Sequence, residues 1–333
     1  MALKPDDDTA AHPIGHAPHW RESYYCNFFN VQDDTYGLAW IGVRPNVERG
    51  EALFAIFDKD VPLLRYVDFK VPVARDIGAE RKHLGPLNFR CVAPYREWEI
   101  GFDDSRSQAL VKWRRMSDVC DWDWEDLTAS KHYQHAGRVE VEANIEGRQV
   151  RFSGTGERDR AWGERDYGFW RFVWWLVVQF PDDVASHVFL MRDENGEGRL
   201  HGYLHKAGRT RPVSRYQAQV TYSYEGGPPE QAVQLITDDE GRTLRLTEMQ
   251  RMNYFAFTAD GPQVEDAPPP DGLNQGLMYW TFNRYQRDDG VMGRGMIDHV
   301  CWKGYQQTDI DARGPVRSTL YPFGRDDGEE AKG

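Results

Sequence analysis

Residues 154–175 read GTGERDRAWGERDYGFWRFVWW, and this stretch carries the prediction of the fold. Its first half places charged residues between glycines, and its second half is rich in aromatic residues. Between residues 167 and 180, positions of both parities are mostly apolar. A strand with two apolar faces is covered on both sides. We therefore predict a buried strand here, with one face against another barrel and the other face lining a lumen.

Alternation of apolar and polar residues recurs on both sides of this stretch. Residues 139–145 alternate, Glu146-Gly147 forms a turn, and the pattern resumes at 150–152, which predicts a β-hairpin. Residues 278–285 and 291–300 predict another hairpin. Helical periodicity is scarce by comparison. The pattern predicts an all-β protein made of two β-barrels or sandwiches in tandem.

The same patterns predict the division of the chain. We expect a flexible arm over residues 1–18, a first barrel over 19–165, a second barrel over 166–322 and a flexible tail over 323–333. The segment 261–272, GPQVEDAPPPDG, is too polar for a strand and predicts a loop in the second half, suited to cover a cavity mouth.

Composition excludes several classes of function. The net charge of −12 and the lack of Lys/Arg-rich runs argue against binding to nucleic acid or anionic membranes. The start of the sequence lacks the apolar core of a signal peptide, and the longest apolar run, 172–180, is too short to span a bilayer. We expect a cytoplasmic protein. Aromatic residues make up 13% of the chain, which favours strands and a pocket for an apolar ligand.

Motifs for common cofactors and nucleophiles are missing. The four cysteines form no CxxC pair, and the histidine pairs in KHYQH (132–135) and LHGYLH (200–205) have no evident third ligand. The segment beginning at Gly154 lacks the third glycine and the βαβ context of a nucleotide site, and no GxSxG elbow occurs. We expect no metal and no cofactor.

The charged half of the opening stretch has two interpretations. In the first, arginines and aspartates pair into a structural network that joins the two barrels, with Trp162 as a packing plug. In the second, a carboxylate such as Asp159 lies beside an apolar cavity, where burial raises its pKa and allows it to act as a general acid. A neighbouring arginine opposes that rise, so the pairing of Asp159 decides between them.

Residues 154–163, GTGERDRAWG, resemble the GTGYHDHNWG-type motif of the carotenoid 1,2-hydratase (hydroxyneurosporene synthase) and AttH-like superfamily. The matching positions are Gly154, Thr155, Gly156, Asp159, Trp162 and Gly163. ESYYCNFFN at 22–30 and IGVRPN at 41–46 are similar to the first-barrel opening of uncharacterised bacterial members. The resemblance implies tandem lipocalin-like (calycin) barrels with a ligand cavity near their junction.

Relatives implied by this resemblance include tocopherol-cyclase-like proteins and fungal lipocalin-like Diels–Alderases, which act on apolar substrates, generally without a cofactor. The sequence departs from the hydratase motif at Arg158 and Arg160, which replace its two histidines. The resemblance therefore carries over Asp159 and Trp162 but no histidine role.

We predict a cofactor-independent enzyme for a hydrophobic substrate of terpenoid, steroid or polyketide type. The predicted reaction is an acid-assisted hydration or dehydration, an isomerisation or a cyclisation. Asp159 is the predicted acid, and Arg160 and Arg165 would hold a substrate oxygen or anchor Asp159. Further candidate acids and bases are Asp166, His187 and Asp298.

An aromatic wall is predicted to bind the substrate and to stabilise a developing cation through its π faces. Its members are Trp162, Tyr167, Trp170 and Trp174. Two other classes remain open: a lipocalin-like carrier without chemistry, and a scaffold that contacts another protein. The expected partner is a hydrophobic small molecule, and the sequence is compatible with a homodimer.

Overall fold

A computed structural model describes residues 2–18, 20–30, 32–78, 82–122, 130–164, 170–258, 261–262, 277–301, 304–316 and 318–323. These residues form one short α-helix, α1 (Pro5–Thr9), a 3-10 turn (Pro45–Val47) and a series of strands. The strands are β1 (Trp20–Phe29), β2 (Thr35–Arg44), β3 (Arg49–Asp58), β4 (Val61–Pro72), β5 (His83–Leu84), β6 (Leu87–Ala93), β7 (Glu97–Asp103), β8 (Ser107–Arg115), β9 (Val119–Trp122), β10 (Ser130–Ile145), β11 (Arg148–Glu164), β12 (Phe172–Gln179), β13 (Ala185–Arg192), β14 (Gly198–Lys206), β15 (Arg209–Tyr222), β16 (Pro229–Asp238), β17 (Thr243–Thr258), β18 (Gly261–Pro262), β19 (Leu277–Arg287), β20 (Met292–Cys301), β21 (Asp309–Arg313) and β22 (Ser318–Tyr321).

The first sheet has the order β4-β3-β2-β1-β11-β10-β8-β7-β6-β5, with β9 beside β10 and β22 beside β9. Its longest hairpin joins β10 to β11 through Glu146 and Gly147, which adopt φ angles of 49° and 93°. A two-residue turn with positive φ at both positions matches the twist of antiparallel strands. The hairpin predicted at these residues is confirmed.

The second sheet has the order β14-β13-β12-β20-β19-β17-β16-β15-β21, and an additional pairing of β14 with β15 closes it into a barrel. The short strand β18 pairs with β17. The predicted hairpin of β19 and β20 is present, with its turn at 288–291. The protein is therefore nearly all β, with two barrel-like sheets in tandem, as the sequence predicts.

The three largest apolar clusters of the described residues stabilise the two sheets. One fills the first barrel around Phe54 and Trp98, and one fills the second barrel around Trp174 and Tyr216. The third, which we call the inter-barrel layer, joins residues of both sheets, including Trp40 of β2.

Strand β12 contributes to two of these layers because its side chains alternate in direction. Trp174 and Leu176 point into the second barrel, whereas Val173 and Trp175 belong to the inter-barrel layer. The prediction of a strand buried on both faces, with one face toward the other barrel, is confirmed for residues 172–179; the other face packs in the filled interior of the second barrel rather than lining a lumen.

The ends of the described chain differ from the expected arm and tail. The prediction of a flexible arm over residues 1–18 is corrected, because α1 packs on the first barrel and the Asp8 side chain is completely buried there. Strand β22 lies in the first sheet beside β9, although the predicted division assigns residues 318–321 to the second barrel. Residues 324–333 of the predicted tail lie outside the described residues.

Within the described residues, no helix is both long enough and apolar enough to cross a membrane. Most of the loop predicted at 261–272 lies outside the described residues, which there include only Gly261 and Pro262.

Candidate functional site

The charged motif lies within strand β11, which runs without interruption from Arg148 to Glu164. Since successive side chains of a strand point to opposite faces, the motif is divided between two environments. Arg158 and Arg160 point into the first barrel, where they contact buried residues of that barrel. Glu157 points the other way, toward residues of the second sheet.

The glycines of the motif allow β1 to pass close to β11. A Cβ atom added to Gly154 would lie 1.9 Å from the carbonyl oxygen of Phe29, and one added to Gly156 would lie 2.2 Å from that of Asn27. Both contacts are with backbone atoms, so a side chain cannot move aside to relieve them. The close approach of the two strands requires glycine at both positions.

Arg158 forms a buried ion pair inside the first barrel. Its Nη2 donates to Asp8 Oδ1 at 2.6 Å, and its guanidinium lies 3.9 Å from the ring centre of Trp98. Burial alone would raise the pKa of Asp8, but Arg158 and hydrogen bonds from Tyr133, the Tyr95 amide and Trp98 lower it from 3.8 to about 2. This stabilisation is complete above the unfolded-state pKa and is lost as the pH falls through about 2.

Arg160 forms a second buried ion pair inside the first barrel. Its Nη2 donates to Glu22 Oε1 at 2.6 Å and to the Tyr24 hydroxyl at 2.8 Å, and the guanidinium also donates to the backbone carbonyls of Asp7 and Ala10. The prediction that Arg160 anchors Asp159 is wrong, because alternation along β11 points the two side chains to opposite faces. Both described arginines of the motif thus pair within the first barrel.

Glu157 occupies the inter-barrel side of β11 and is completely buried. Its Oε2 accepts a hydrogen bond of 2.7 Å from the Tyr203 hydroxyl and one of 3.3 Å from Gln179 Nε2, both on the second sheet. Burial raises the pKa of Glu157 well above its usual value; the Tyr203 hydrogen bond opposes this rise and the Asp159 carboxylate adds to it. Glu157 therefore keeps its proton to a higher pH than an exposed glutamate does.

The second carboxyl oxygen of Glu157, Oε1, is the atom of the site that is suited to react with a ligand. Oε1 is buried and has no hydrogen-bond partner among the described residues. Because Oε2 accepts both hydrogen bonds, the carboxyl proton belongs on Oε1. Gln134 Nε2, Gln179 Oε1 and Trp280 Nε1 are also buried without such a partner. Buried polar atoms are normally paired, so these atoms indicate a place for a ligand or for water.

His187 lies in the inter-barrel region, where its ring is near that of Tyr203, the hydrogen-bond donor to Glu157. Its ring centre is 5.1 Å from those of Trp122 and Trp175 and 6.3 Å from that of Tyr203. Burial lowers the pKa of His187 well below its usual value, and the nearby imidazoles of His132 and His201 lower it further. His187 is therefore a neutral imidazole, which can accept a proton.

The two predicted aspartates also lie on the inter-barrel side of their strands. Asp159 Oδ2 is 3.5 Å from His132 Nε2. Asp298 shares a face of β20 with Met296 and Val300, both members of the inter-barrel layer. The sequence predicts this shared face correctly, with Asp298 on the side of these apolar residues.

The predicted aromatic wall is only partly in the right place. Trp170 belongs to the inter-barrel layer, but Trp174 points into the second barrel, 5.4 Å from His299 between ring centres. Trp162 stacks on His12 at 3.7 Å and covers the first barrel. Alternation explains both corrections, because each residue has the parity of the barrel interior. Arg165, Asp166 and Tyr167 lie outside the described residues.

Sequence reasoning missed the residues that form the polar centre of the site. Glu157 has the same parity as Asp159, so continuing the strand pattern of 139–152 through the motif would have placed them on one face. Trp175 likewise has the parity opposite to Trp174. For Tyr203 and Gln179, no local signal exists, because their contact with Glu157 depends on how the two sheets pack.

The protonation of Glu157 gives a testable pH dependence. An acid with a raised folded-state pKa makes the protein less stable as the pH rises above the unfolded pKa. Relative to wild type, Glu157→Gln should gain up to about 1.4 kcal/mol of unfolding free energy per pH unit above pH ~5. Urea denaturation from pH 5 to 8 measures the difference. Exposed Glu140→Gln on β10 is the matched control, and parallel pH curves for Glu157→Gln and wild type would contradict a neutral Glu157.

Metal ligation has no support in the described part of the chain. Within it, His, Cys, Asp and Glu side chains form no group of three or more that could hold a metal ion.

Comparison with solved structures shows the same architecture in other proteins. A putative AttH from Nitrosomonas europaea is 13% identical, with 92% of this chain and 98% of that chain covered and a TM-score of 0.57. Kievitone hydratase from Nectria haematococca is 10% identical, with coverages of 84% and 88% and a TM-score of 0.56. CghA with Sch210972 is 12% identical, with coverages of 91% and 96% and a TM-score of 0.62. These likenesses establish a shared fold.

No curated protein sequence matches the chain significantly. One family model matches residues 5–298, which include nearly all of both sheets, and its description is Domain of unknown function (DUF7064). Since that match spans well over half of the sequence, the chain belongs to the DUF7064 family.

Proposed function

We propose that this protein is a cofactor-independent enzyme that performs acid-assisted chemistry on an apolar substrate between its two barrels. The observation that carries the proposal is the completely buried carboxyl group of Glu157, whose Oε1 has no hydrogen-bond partner among the described residues and whose pKa is raised by burial. A carboxylic acid held neutral in an apolar site is suited to donate a proton. Glu157 thus replaces Asp159 as the proposed acid.

The proposed reaction begins with proton transfer from Glu157 Oε1 to a carbon–carbon double bond. The resulting cation would be stabilised by the π faces of Trp175 and Trp122, whose ring centres each lie 5.1 Å from that of His187. In hydration, water adds to the cation and loses a proton to neutral His187. Isomerisation needs only transfer of a proton from a neighbouring carbon to His187. Cyclisation needs attack on the cation by a second double bond, followed by transfer of a proton from the cyclic cation to His187.

Tyr203 binds the proposed acid and lies near the proposed base. Its hydroxyl donates to Glu157 Oε2, and its ring lies near His187. After the reaction, solvent would carry the proton from His187 back to Glu157. Asp159, 3.5 Å from His132, would favour positive charge near the site.

The names of the similar structures agree with this class of reaction. One is called a hydratase, and another contains the small molecule Sch210972. A shared fold does not transfer activity, so these names support the proposal without carrying it. The terpenoid, steroid or polyketide class of the substrate remains part of the proposal, supported by the apolar character of the inter-barrel layer.

Incorporation of deuterium from the solvent tests for proton transfer to carbon. The test does not depend on whether the product is an isomer, a hydrate or a cyclic form of the supplied alkene. The protein is incubated in D₂O with separate terpenoid, steroid and polyketide alkenes, and mass spectrometry detects deuterium bound to carbon. Proton donation by Glu157 predicts incorporation with wild type and with exposed Glu140→Gln. Glu157→Gln should reduce the rate by a factor of about 10²–10⁴, the range for loss of a general acid.

Two outcomes would contradict the proposal. Equal incorporation by Glu157→Gln and wild type would remove Glu157 from the reaction. Saturable binding of an alkene by wild type with no incorporation, no change in mass and no isomer would instead favour the lipocalin-like carrier.

A further inference from the structure

The interior of the first barrel contains a complete recognition site for one carboxylate. Four nitrogen and oxygen donors converge on Asp8, with the Cys91 thiol at 3.9 Å as a weaker fifth: Arg158 Nη2 at 2.6 Å, Trp98 Nε1 at 3.0 Å, the Tyr133 hydroxyl and the Tyr95 amide. Three of them belong to strands of the first sheet, and Tyr95 lies in the turn between β6 and β7. We call these four residues the carboxylate site.

The group that fills this site comes from outside the barrel. Asp8 belongs to α1, and it is the only fully buried side chain among residues 4–10. Contacts of the neighbouring residues are largely through their backbone: the carbonyls of Lys4 and Thr9 accept from Tyr95 and Lys82, and those of Asp7 and Ala10 accept from Arg160. The segment thus presents a single carboxylate to the barrel and carries its other side chains on the outside.

The site requires an anion whenever α1 is absent. Arg158 is only 1% exposed, and the nearby carboxylate of Glu22 is already paired with Arg160. A buried guanidinium without a counter-ion is strongly unfavourable. Release of Asp8 would therefore have to be matched by entry of another anion.

The geometry of the site selects for a planar carboxylate attached to an apolar body. Arg158 lies 3.9 Å from the ring centre of Trp98, and Tyr95 and Tyr133 form an edge-to-face pair 5.2 Å apart. The guanidinium and the indole N–H donate to different oxygens of the carboxylate, as a planar acceptor permits. The surrounding rings would contact apolar groups next to the carboxylate.

We propose that the carboxylate site binds a small apolar carboxylic acid in its ionised form, and that residues 4–10 act as an exchangeable cap that occupies the site when this ligand is absent. The site is separate from the proposed catalytic cluster, because Arg158 and Glu157 point to opposite faces of β11. Binding would exchange one carboxylate for another and leave the buried charge balance unchanged.

Chemical rescue tests the site in the full-length chain. Asp8→Ala should lower Tm by several degrees, and about 100 mM sodium acetate should raise its Tm by about 2 °C or more. Sodium chloride at equal ionic strength serves as the salt control. Wild type and exposed Asp6→Ala, the matched control from the same helix, should respond equally to both salts. Addition of Arg158→Leu to Asp8→Ala should abolish the acetate-specific response.

The proposed carboxylate site would be contradicted if acetate raised the Tm of Asp6→Ala as much as that of Asp8→Ala. It would also be contradicted if acetate did not raise the Tm of folded Asp8→Ala. Sulfate distinguishes a carboxylate site from a general anion site, since equal rescue by sulfate would contradict the proposed selectivity.

Exchange of the cap is measured on wild type, which avoids dependence on the folding of Asp8→Ala. Benzoate is the probe, because it combines a carboxylate with a ring. Hydrogen exchange of the amides in residues 4–10 should accelerate at least about twofold as benzoate approaches saturation, while exchange in the second barrel stays unchanged. Unchanged exchange of residues 4–10 under benzoate would overturn the exchangeable cap.

Discussion

Replacement of Arg158 by leucine is expected to lower the free energy of unfolding by about 3–5 kcal/mol. The reason is that Asp8, which is completely buried, would lose its counter-ion while remaining inside the first barrel. Urea denaturation at pH 7 measures the loss. Because an unpaired buried carboxyl group has a raised pKa, Arg158→Leu should recover part of the lost stability at pH 4 relative to wild type.

Two variants separate this explanation from a general effect of the substitution. Arg151→Leu makes the same change at an exposed position of β11 and should alter stability by less than about 0.5 kcal/mol. The double variant Asp8→Leu/Arg158→Leu removes both charges and should be more stable than Arg158→Leu alone. A loss below about 1 kcal/mol in Arg158→Leu would show that Asp8 finds water or another partner.

The Gly154→Ala variant is expected to lose about 3 kcal/mol or more, or to fail to fold. Its Cβ atom would lie 1.9 Å from the carbonyl oxygen of Phe29 and 2.8 Å from the carbonyl carbon. Relief requires separation of β1 from β11, and these paired strands carry Asn27, Glu157 and Arg158. The fraction of soluble protein and the urea midpoint measure the effect.

Gly101→Ala on β7 is the matched control for a glycine within a strand. A Cβ atom there has no neighbour within 4 Å, so the substitution should leave stability unchanged or raise it by about 0.5–1 kcal/mol. If Gly154→Ala stayed within about 1 kcal/mol of wild type, the close approach of the two backbones would not be a constraint on the fold.

Local alternation is sufficient to predict the fold class and several faces of the site. The parity of Trp175 and Trp174 divides β12 correctly between two layers, and the parity of Asp298 with Met296 assigns its face. Alternation does not tell which of two apolar faces is inside a barrel. For that reason the sequence places Trp174 in the ligand wall, although it packs inside the second barrel.

Contacts distant in sequence could not be predicted in this way. The acidic segment at Asp8 has the composition of a disordered arm, and nothing near it indicates a partner as distant in sequence as Arg158. Likewise, the raised pKa of Glu157 comes first from its burial, and that burial arises only when the second sheet covers β11. Such properties depend on packing between elements and leave no local pattern.

The pairing of β22 with β9 determines an order of events during synthesis. β9 is translated before any strand of the second sheet, but its partner, Ser318–Tyr321, leaves the ribosome after all of them. The edge of β9 therefore remains unpaired, and can form non-native strand pairs, until β22 has been synthesised. Closing so long a loop is slow, and it couples completion of the first barrel to synthesis of the second.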